Sequence, residues 1–209
     1  VTQARILDLY CGPGGAGYGY ALAGFEVLGV DIAAQPSYPY RMIQADALTL
    51  PVDLSGFDAI HASPPCQHYA AVTRWRGKAE GHPDLVGPTR ALLVASGLPW
   101  VMENVREAKL QDPIVLCGSM FGLKVRRHRY FETNWLPFSL MPSCSHNGAL
   151  PFEHKGERAY ADAMGCDWMG AHEAREAIPP AYSEHIGRAL QAHLGREAAA
   201  VGEKVGSAP

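Results

Sequence analysis

The segment from Ala4 to Asp31 constrains the fold more than any other stretch of this chain. Ala4 to Tyr10 reads as a buried strand, Cys11-Gly12-Pro13-Gly14-Gly15-Ala16-Gly17 as a tight turn, and Tyr18 to Ala23 as a helix closed by Gly24. Phe25 to Val30 forms a second strand that runs into Asp31-Ile32. Strand, glycine turn, helix, strand and acid make the first βαβ unit of a doubly wound, mostly parallel α/β sheet. The free N–H groups at the start of the helix favour an anionic ligand group, and Asp31 is placed for ribose hydroxyls. The glycines follow G-x-G-G-x-G rather than G-x-G-x-x-G, so the turn points to an adenosine-containing cofactor without choosing among them. Asp46, after a short third strand within Arg41 to Leu50, is either a partner for an adenine amino group or a cap.

A second signal is Ser63-Pro64-Pro65-Cys66-Gln67, which follows the apolar run Phe57 to Ala62. Two prolines stiffen the backbone and remove two N–H donors just before a cysteine. The thiol therefore sits where a strand hands over to a loop. The strand Pro99 to Met102 then ends in Glu103-Asn104-Val105. A thiol and a carboxylate at neighbouring strand ends suggest a nucleophile and an acid facing one substrate. A free thiol needs help to ionise at neutral pH, and the basic run Arg126-Arg127-His128-Arg129 is a source of positive potential. Cys11 and Cys117 have no such setting and read as packing residues.

Composition narrows the class. Hydrophobic residues make up 47% and charged residues 19% of 209, ordinary for one globular core with a small appendage. The net charge of −3 gives no global sign of nucleic-acid binding, so phosphate contacts must be local. Five scattered cysteines argue against a disulfide framework. No leader and no apolar run of membrane length is read, so the expectation is a cytoplasmic protein without membrane contact, acting as a monomer or weak dimer.

The rest divides as follows. His68 to Pro88 is polar and holds Arg74, Arg76 and Lys78; it reads as a loop able to meet phosphates. Thr89 to Ser96 is helical, Val115 to Met120 a strand or turn, and Arg129 to Thr133 a late strand. Periodicity fades from Pro137 to Glu173, and Ala181 to Gly195 returns to a helix. The expected units are a catalytic and cofactor-binding domain at 1–136, an insert at 137–176, a returning helix at 177–195 and a fraying tail at 196–209.

Taken in order, these motifs resemble the cytosine-C5 DNA methyltransferase family. Asp8-Leu9-Tyr10-Cys11-Gly12-Pro13-Gly14-Gly15 is similar to its S-adenosylmethionine motif, and Ser63-Pro64-Pro65-Cys66-Gln67 to its catalytic motif. Glu103-Asn104-Val105, Arg127-x-Arg129, and Ile178-Pro179-Pro180-Ala181-Tyr182 through Gly187 resemble later motifs of the family. The resemblance implies a Rossmann-like class I methyltransferase fold with S-adenosylmethionine as cofactor. It implies cofactor contacts from Asp8, Tyr10, Cys11, Gly12, Gly14, Gly15, Asp31, Ile32, Asp46 and Pro65. It makes Cys66 the nucleophile for C6 of a flipped-out cytosine, Glu103 the group on N3 and the amino group, and Arg129 the ligand of O2. Arg127 supports the loop or a phosphate, and Ser63, Pro64, Gln67, Asn104, Arg74 and Arg76 line the substrate side. The expected partner is DNA, or a cytosine nucleotide.

Three departures stand out. Val125 replaces the usual glutamine, and Glu176-Ala177 replaces an expected Gly-Asn pair. Only about fifty residues separate Arg129 from Ile178, too few for a large target-recognition domain. That segment holds Cys144, His146, His154, Cys166 and His172, a set from which a structural zinc would staple a small insert, but the spacing is irregular and there is no Cys-x-x-Cys pair, so scattered polar or packing residues are the preferred reading and no metal is assigned. The short segment keeps a free or modified cytosine nucleotide open as substrate. A non-catalytic binding module and a nicotinamide-dependent dehydrogenase are the other readings; the first leaves Cys66 with Glu103 unexplained, and the second gives Cys66 no role.

Overall fold

A computed structural model describes residues 3–50, 52–69, 81–136, 141–146 and 157–206. Arg74, Arg76, Lys78 and His154 lie outside the described residues. Elements are numbered in chain order: β1 Arg5–Leu9, α1 Gly15–Leu22, β2 Glu26–Asp31, β3 Arg41–Gln44, β4 Ala59–Ala62, α2 Val86–Ser96 and β5 Trp100–Asn104. Then follow β6 Ile114–Leu116, β7 Arg129–Thr133, α3 Glu157–Met164, α4 Ala171–Glu176 and α5 Pro180–Gly206.

The strands form one sheet in the order β3-β2-β1-β4-β5-β7-β6. Pairings from β3 through β5 are parallel; β7 runs antiparallel to β5 and to β6. This is the α/β, Rossmann-like sheet expected from the sequence. Central strands read as continuous apolar runs because both faces are covered. Alternate side chains divide between two layers. Ile6, Val101 and Phe131 pack with Tyr20 of α1 and Tyr182, Ile186 and Leu190 of α5. Leu7, Leu9, Ile60, Ala62 and Met102 pack on the other face with Leu93 of α2. The chain leaves β1 toward β2 on one side and returns through β4 on the other, which opens a crevice beyond the carboxyl ends of β1 and β4.

Three stretches differ from the sequence reading. Helix α2 begins at Val86 rather than Thr89, since Asp84 Oδ1 accepts the Val86 N–H at 3.1 Å. Helix α5 continues to Gly206, past the expected end at Gly195. The continuation is rich in Ala, Glu and Lys, strong helix formers, and His193 lies 3.4 Å from Glu197 one turn on. Residues 157–177 are not featureless either. Tyr160, Ala161 and Met164 share one face of α3 and bury with Val125, Cys166, Met169, Ala174 and Ala177 in a small third core. The buried position of Val125 accounts for an apolar residue where the family pattern has an amide.

Helices α1 and α5 cross closely. A Cβ on Gly19 would lie 2.1 Å from the Pro180 carbonyl oxygen and 2.1 Å from Ser183 Oγ, and one on Gly187 would lie 2.7 Å from Ala23 Cβ. Gly19→Ala is therefore expected to force the helices apart and cost about 3 kcal/mol, a loss of overpacking type visible as a lower denaturation midpoint. An unchanged midpoint would contradict the close crossing.

Candidate active site

The glycine turn leaves β1 through left-handed backbone at Tyr10 (φ 57°), Gly12 (φ 49°) and Gly14 (φ 95°). Tyr10 holds this conformation with its hydroxyl 2.9 Å from Thr89 Oγ1 of α2. The Gly12 N–H donates to Asp31 Oδ2 at 2.9 Å, and Asp31 Oδ1 accepts the Ala33 N–H at 2.9 Å. The acid at the end of β2 thus braces the turn, and its oxygens keep lone pairs for a ligand's hydroxyls. Ile32 beside it is 73% exposed, an apolar face turned largely to solvent. Among the described residues, nothing lies within 4 Å of a Cβ built on Gly12. An open glycine edge, a carboxylate and a bare isoleucine suit an adenosine moiety.

Other residues expected at the cofactor have internal work. The space above Gly14, Gly17 and Gly29 is filled by Tyr38, whose ring or hydroxyl would meet a Cβ at each within 3.0 Å. Nothing in the sequence marked Tyr38. Its hydroxyl donates to Asp8 Oδ2 at 3.1 Å, while Asp8 Oδ1 is buried without a hydrogen bond. Gly15 lets the Ile178 carbonyl approach, Cys11 lies in the core, and Asp46 caps the short helix Ala47–Thr49 by accepting the Leu48 N–H at 2.9 Å. The structure gives Gly15, Cys11 and Asp46 these internal roles.

Burial pushes the Asp8 carboxyl up to about 8; the Tyr38 hydroxyl pulls it down, and the charge of Asp31 adds to the rise. Between pH 4 and 8 the folded chain then holds a proton that the unfolded chain has released. Stability attributable to Asp8 is full at low pH and is lost as pH rises toward about 8. Asp8→Asn should raise the stability of the ligand-free protein at pH 8 by on the order of 3 kcal/mol and flatten this slope. Thermal melts at pH 5 and pH 8 check it; parallel shifts at both values would refute the assignment.

Across the crevice, Cys66, Glu103 and Arg129 converge. β4 delivers the Pro64-Pro65-Cys66 loop, β5 ends in Glu103-Asn104, and the antiparallel β7 starts beside that end, with Asn104 opposite Tyr130. Arg129 Nε lies 3.0 Å from Glu103 Oε1, and both side chains are largely buried. Among the described residues, Glu103 Oε1 has no hydrogen-bond partner. Burial raises the Glu103 carboxyl, opposed by Arg129, the Ser63 hydroxyl and Arg127. Burial likewise raises the Cys66 thiol; Arg129 and Arg127 lower it and Glu103 raises it. The thiol at rest is protonated, and its local field joins it to the Glu103–Arg129 pair.

A buried chain of polar groups stands behind the acid. The Tyr20 hydroxyl lies 3.0 Å from His61 Nδ1, His61 Nε2 lies 2.9 Å from Ser63 Oγ, and Ser63 hydrogen-bonds Glu103. Burial lowers His61 to about 3, so its ring is neutral with one donor nitrogen. With Ser63 donating to the carboxylate, Tyr20 donates to Nδ1 and Nε2–H donates to Ser63. The sequence reading placed Ser63 toward substrate; the fold turns it toward Glu103.

Asn104 Nδ2 donates to the Pro64 carbonyl at 2.8 Å, and its Oδ1 accepts the Val105 N–H at 2.8 Å. It fastens the Pro64-Pro65-Cys66 loop to the end of β5. Pro64 is buried and Pro65 exposed, while Gln67 Oε1 is buried without a hydrogen-bond partner among the described residues.

For Arg127 the structure favours support of a loop over contact with a phosphate. Arg127 is 4% exposed and donates to Tyr160 Oη at 2.7 Å and to the Arg175 and Ala177 carbonyls at 2.6 Å each. It stitches the third core to β7 and offers no surface to a phosphate.

No family model matches the chain. Over 137 residues it is 26% identical to the type II methyltransferase M.AplI of Arthrospira platensis, covering 63% of this chain and 35% of that protein. The chain is similar to a methyltransferase. Among solved structures, the S. pombe Dnmt2 methyltransferase is 18% identical with a TM-score of 0.45, covering 66% of this chain and 51% of that one. The Entamoeba histolytica methyltransferase EhMeth is 15% identical with a TM-score of 0.43, covering 64% and 53%. The chain thus spans about a third of the curated relative and about half of each structure. Among the described residues, no helix is long and apolar enough to cross a membrane.

Proposed function

We propose that this chain carries out S-adenosylmethionine-dependent methyl transfer to C5 of cytosine in DNA, through a covalent bond between Cys66 and C6. The observation that carries the reading is the convergence of Cys66, Glu103 and Arg129 across the crevice from an open glycine turn. The similarity to a type II methyltransferase supports it.

Gly12, Asp31 and Ile32 would hold the cofactor, the carboxylate taking ribose hydroxyls and the isoleucine covering the adenine. When bound, S-adenosylmethionine supplies an electrophilic methyl group. Cys66 as thiolate adds to C6, and the electron pair of the C5–C6 bond moves into the ring. Glu103 delivers a proton to N3 and accepts from the amino group, while Arg129 donates to O2. The C5 carbon, now an enamine carbon, would take the methyl group, the sulfonium sulfur keeping the electron pair of the broken C–S bond. Loss of the C5 proton to solvent re-forms the C5–C6 double bond and expels Cys66 as thiolate, and the N3 proton returns to Glu103. The raised carboxyl of Glu103 keeps a proton on hand, and Arg129 stabilises charge both on the ring and on the thiolate.

The test is a tritiated-methyl assay comparing duplex DNA, single-stranded DNA and cytidine monophosphate, with mapping of the labelled carbon. Label at C5 of cytosine in DNA is expected; no label in any substrate would reject the proposal. Faster labelling of the mononucleotide would favour the alternative that the short segment between β7 and α5 raises.

A further inference from the structure

We propose that Cys117, His128, Cys144 and His146 form a structural zinc site that fastens residues 141–146 to the β6–β7 hairpin. These are the residues among the described ones whose ligand atoms, one from each, all lie within 4.8 Å of one another. Leu116 pairs with Arg129 across the antiparallel β6–β7 ladder, so Cys117 and His128 face each other one step further along. Cys144 and His146, two positions apart on one segment, close the group from the other side.

The distances suit a tetrahedral ion. Cys117 Sγ lies 3.4 Å from His146 Nε2, and Cys144 Sγ lies 3.7 Å from His128 Nε2. With Zn–S near about 2.3 Å and Zn–N near about 2.05 Å, the sulfur–nitrogen edge of a regular tetrahedron is about 3.6 Å. Thiol–imidazole hydrogen bonds this long are weak and would not by themselves draw four such groups together. The two imidazoles stand edge to face, centroids 5.0 Å apart, each presenting Nε2. Two sulfur and two nitrogen donors with no carboxylate select zinc over hard cations. Ser119 Oγ donates to Cys117 Sγ at 3.4 Å and accepts the Ser145 N–H at 3.2 Å, an outer contact that orients a thiolate and ties both segments.

The sequence showed half of this site: Cys144 and His146 stood among the candidate ligands of the insert, while Cys117 was read as packing and His128 as part of a basic run. Cys166 and His172 take no part: Cys166 is buried in the third core, and His172 pairs with Glu176 on α4. An insert too small to build a large core gains a staple in its place. The His128 carbonyl accepts from Arg129 Nη1 at 2.9 Å, so the metal also fixes the strand start that carries Arg129 to Glu103.

The test is elemental analysis of the tag-free chain, with cobalt(II) replacement as a spectroscopic probe. One zinc per chain is expected, and the cobalt form should show tetrahedral bands with thiolate charge transfer. Cys144→Ser, an exposed position that leaves the core intact, should lower bound zinc at least tenfold and abolish the charge transfer, as should His146→Ala. His172→Ala should retain full zinc. Wild-type chain that neither holds zinc nor binds cobalt through thiolate would overturn the proposal, as would full zinc retention by Cys144→Ser.

Discussion

Cys66→Ala is expected to lower methyl incorporation by at least about 10³-fold, because no other thiol in the fold can replace the bond to C6. Cys11, Cys117 and Cys166 are buried, and Cys144 sits with Cys117 in the histidine-lined cluster. The loop itself does not depend on the sulfur. Asn104 holds the Pro64 carbonyl, and the Cys66 carbonyl accepts the Tyr69 N–H at 2.9 Å. The variant should fold, and binding of the cofactor should be unaffected. The same pair of proteins gives a second readout. DNA carrying 5-fluorocytosine has no C5 proton to lose, so wild type should be trapped as a denaturant-resistant adduct and Cys66→Ala should form none. Undiminished turnover in the variant would remove the basis of the proposed chemistry.

Glu103→Gln is expected to lower the rate by about 10² to 10⁴, the range for loss of a general acid. Glutamine keeps the shape and can still meet the amino group, but it has no proton to give N3. The change also leaves Arg129 without its anionic partner. The pH dependence separates these effects. Both Cys66 and Glu103 are raised by burial, so wild type needs the thiolate and the protonated acid together and should show a bell-shaped profile. With glutamine only the thiol titrates, and the small remaining rate should keep climbing into the alkaline range. A variant with the wild-type bell would assign its limbs to other groups.

The layout of the sheet was legible because β1, β4 and β5 are buried on both faces and read as unbroken apolar runs between turn residues. The three groups at the crevice were legible for a related reason: each stands at a strand end, where the sequence changes from apolar to polar in one step. Tyr38 was not. It lies in a connecting segment, and its role over three glycines exists only once β1, β2 and α1 are assembled. The partners of Arg127 were hidden similarly. A basic residue two positions before Arg129 reads as support for the loop or a phosphate, and its partners are backbone carbonyls 48 and 50 positions later, those of Arg175 and Ala177. Helix α3 was missed because its apolar positions are few and its neighbours polar; the face becomes evident only against Val125 and Cys166.

The crossing of α1 and α5 has a consequence for biosynthesis. Tyr20 on the first helix is fully buried, with Tyr182, Ile186 and Leu190 among its cover. Those residues leave the ribosome long after the first strands have emerged. One flank of the nascent sheet therefore stays greasy and solvent-facing until α5 arrives. Pausing in translation ahead of Pro180 prolongs the interval in which chaperones or other nascent chains can bind that flank.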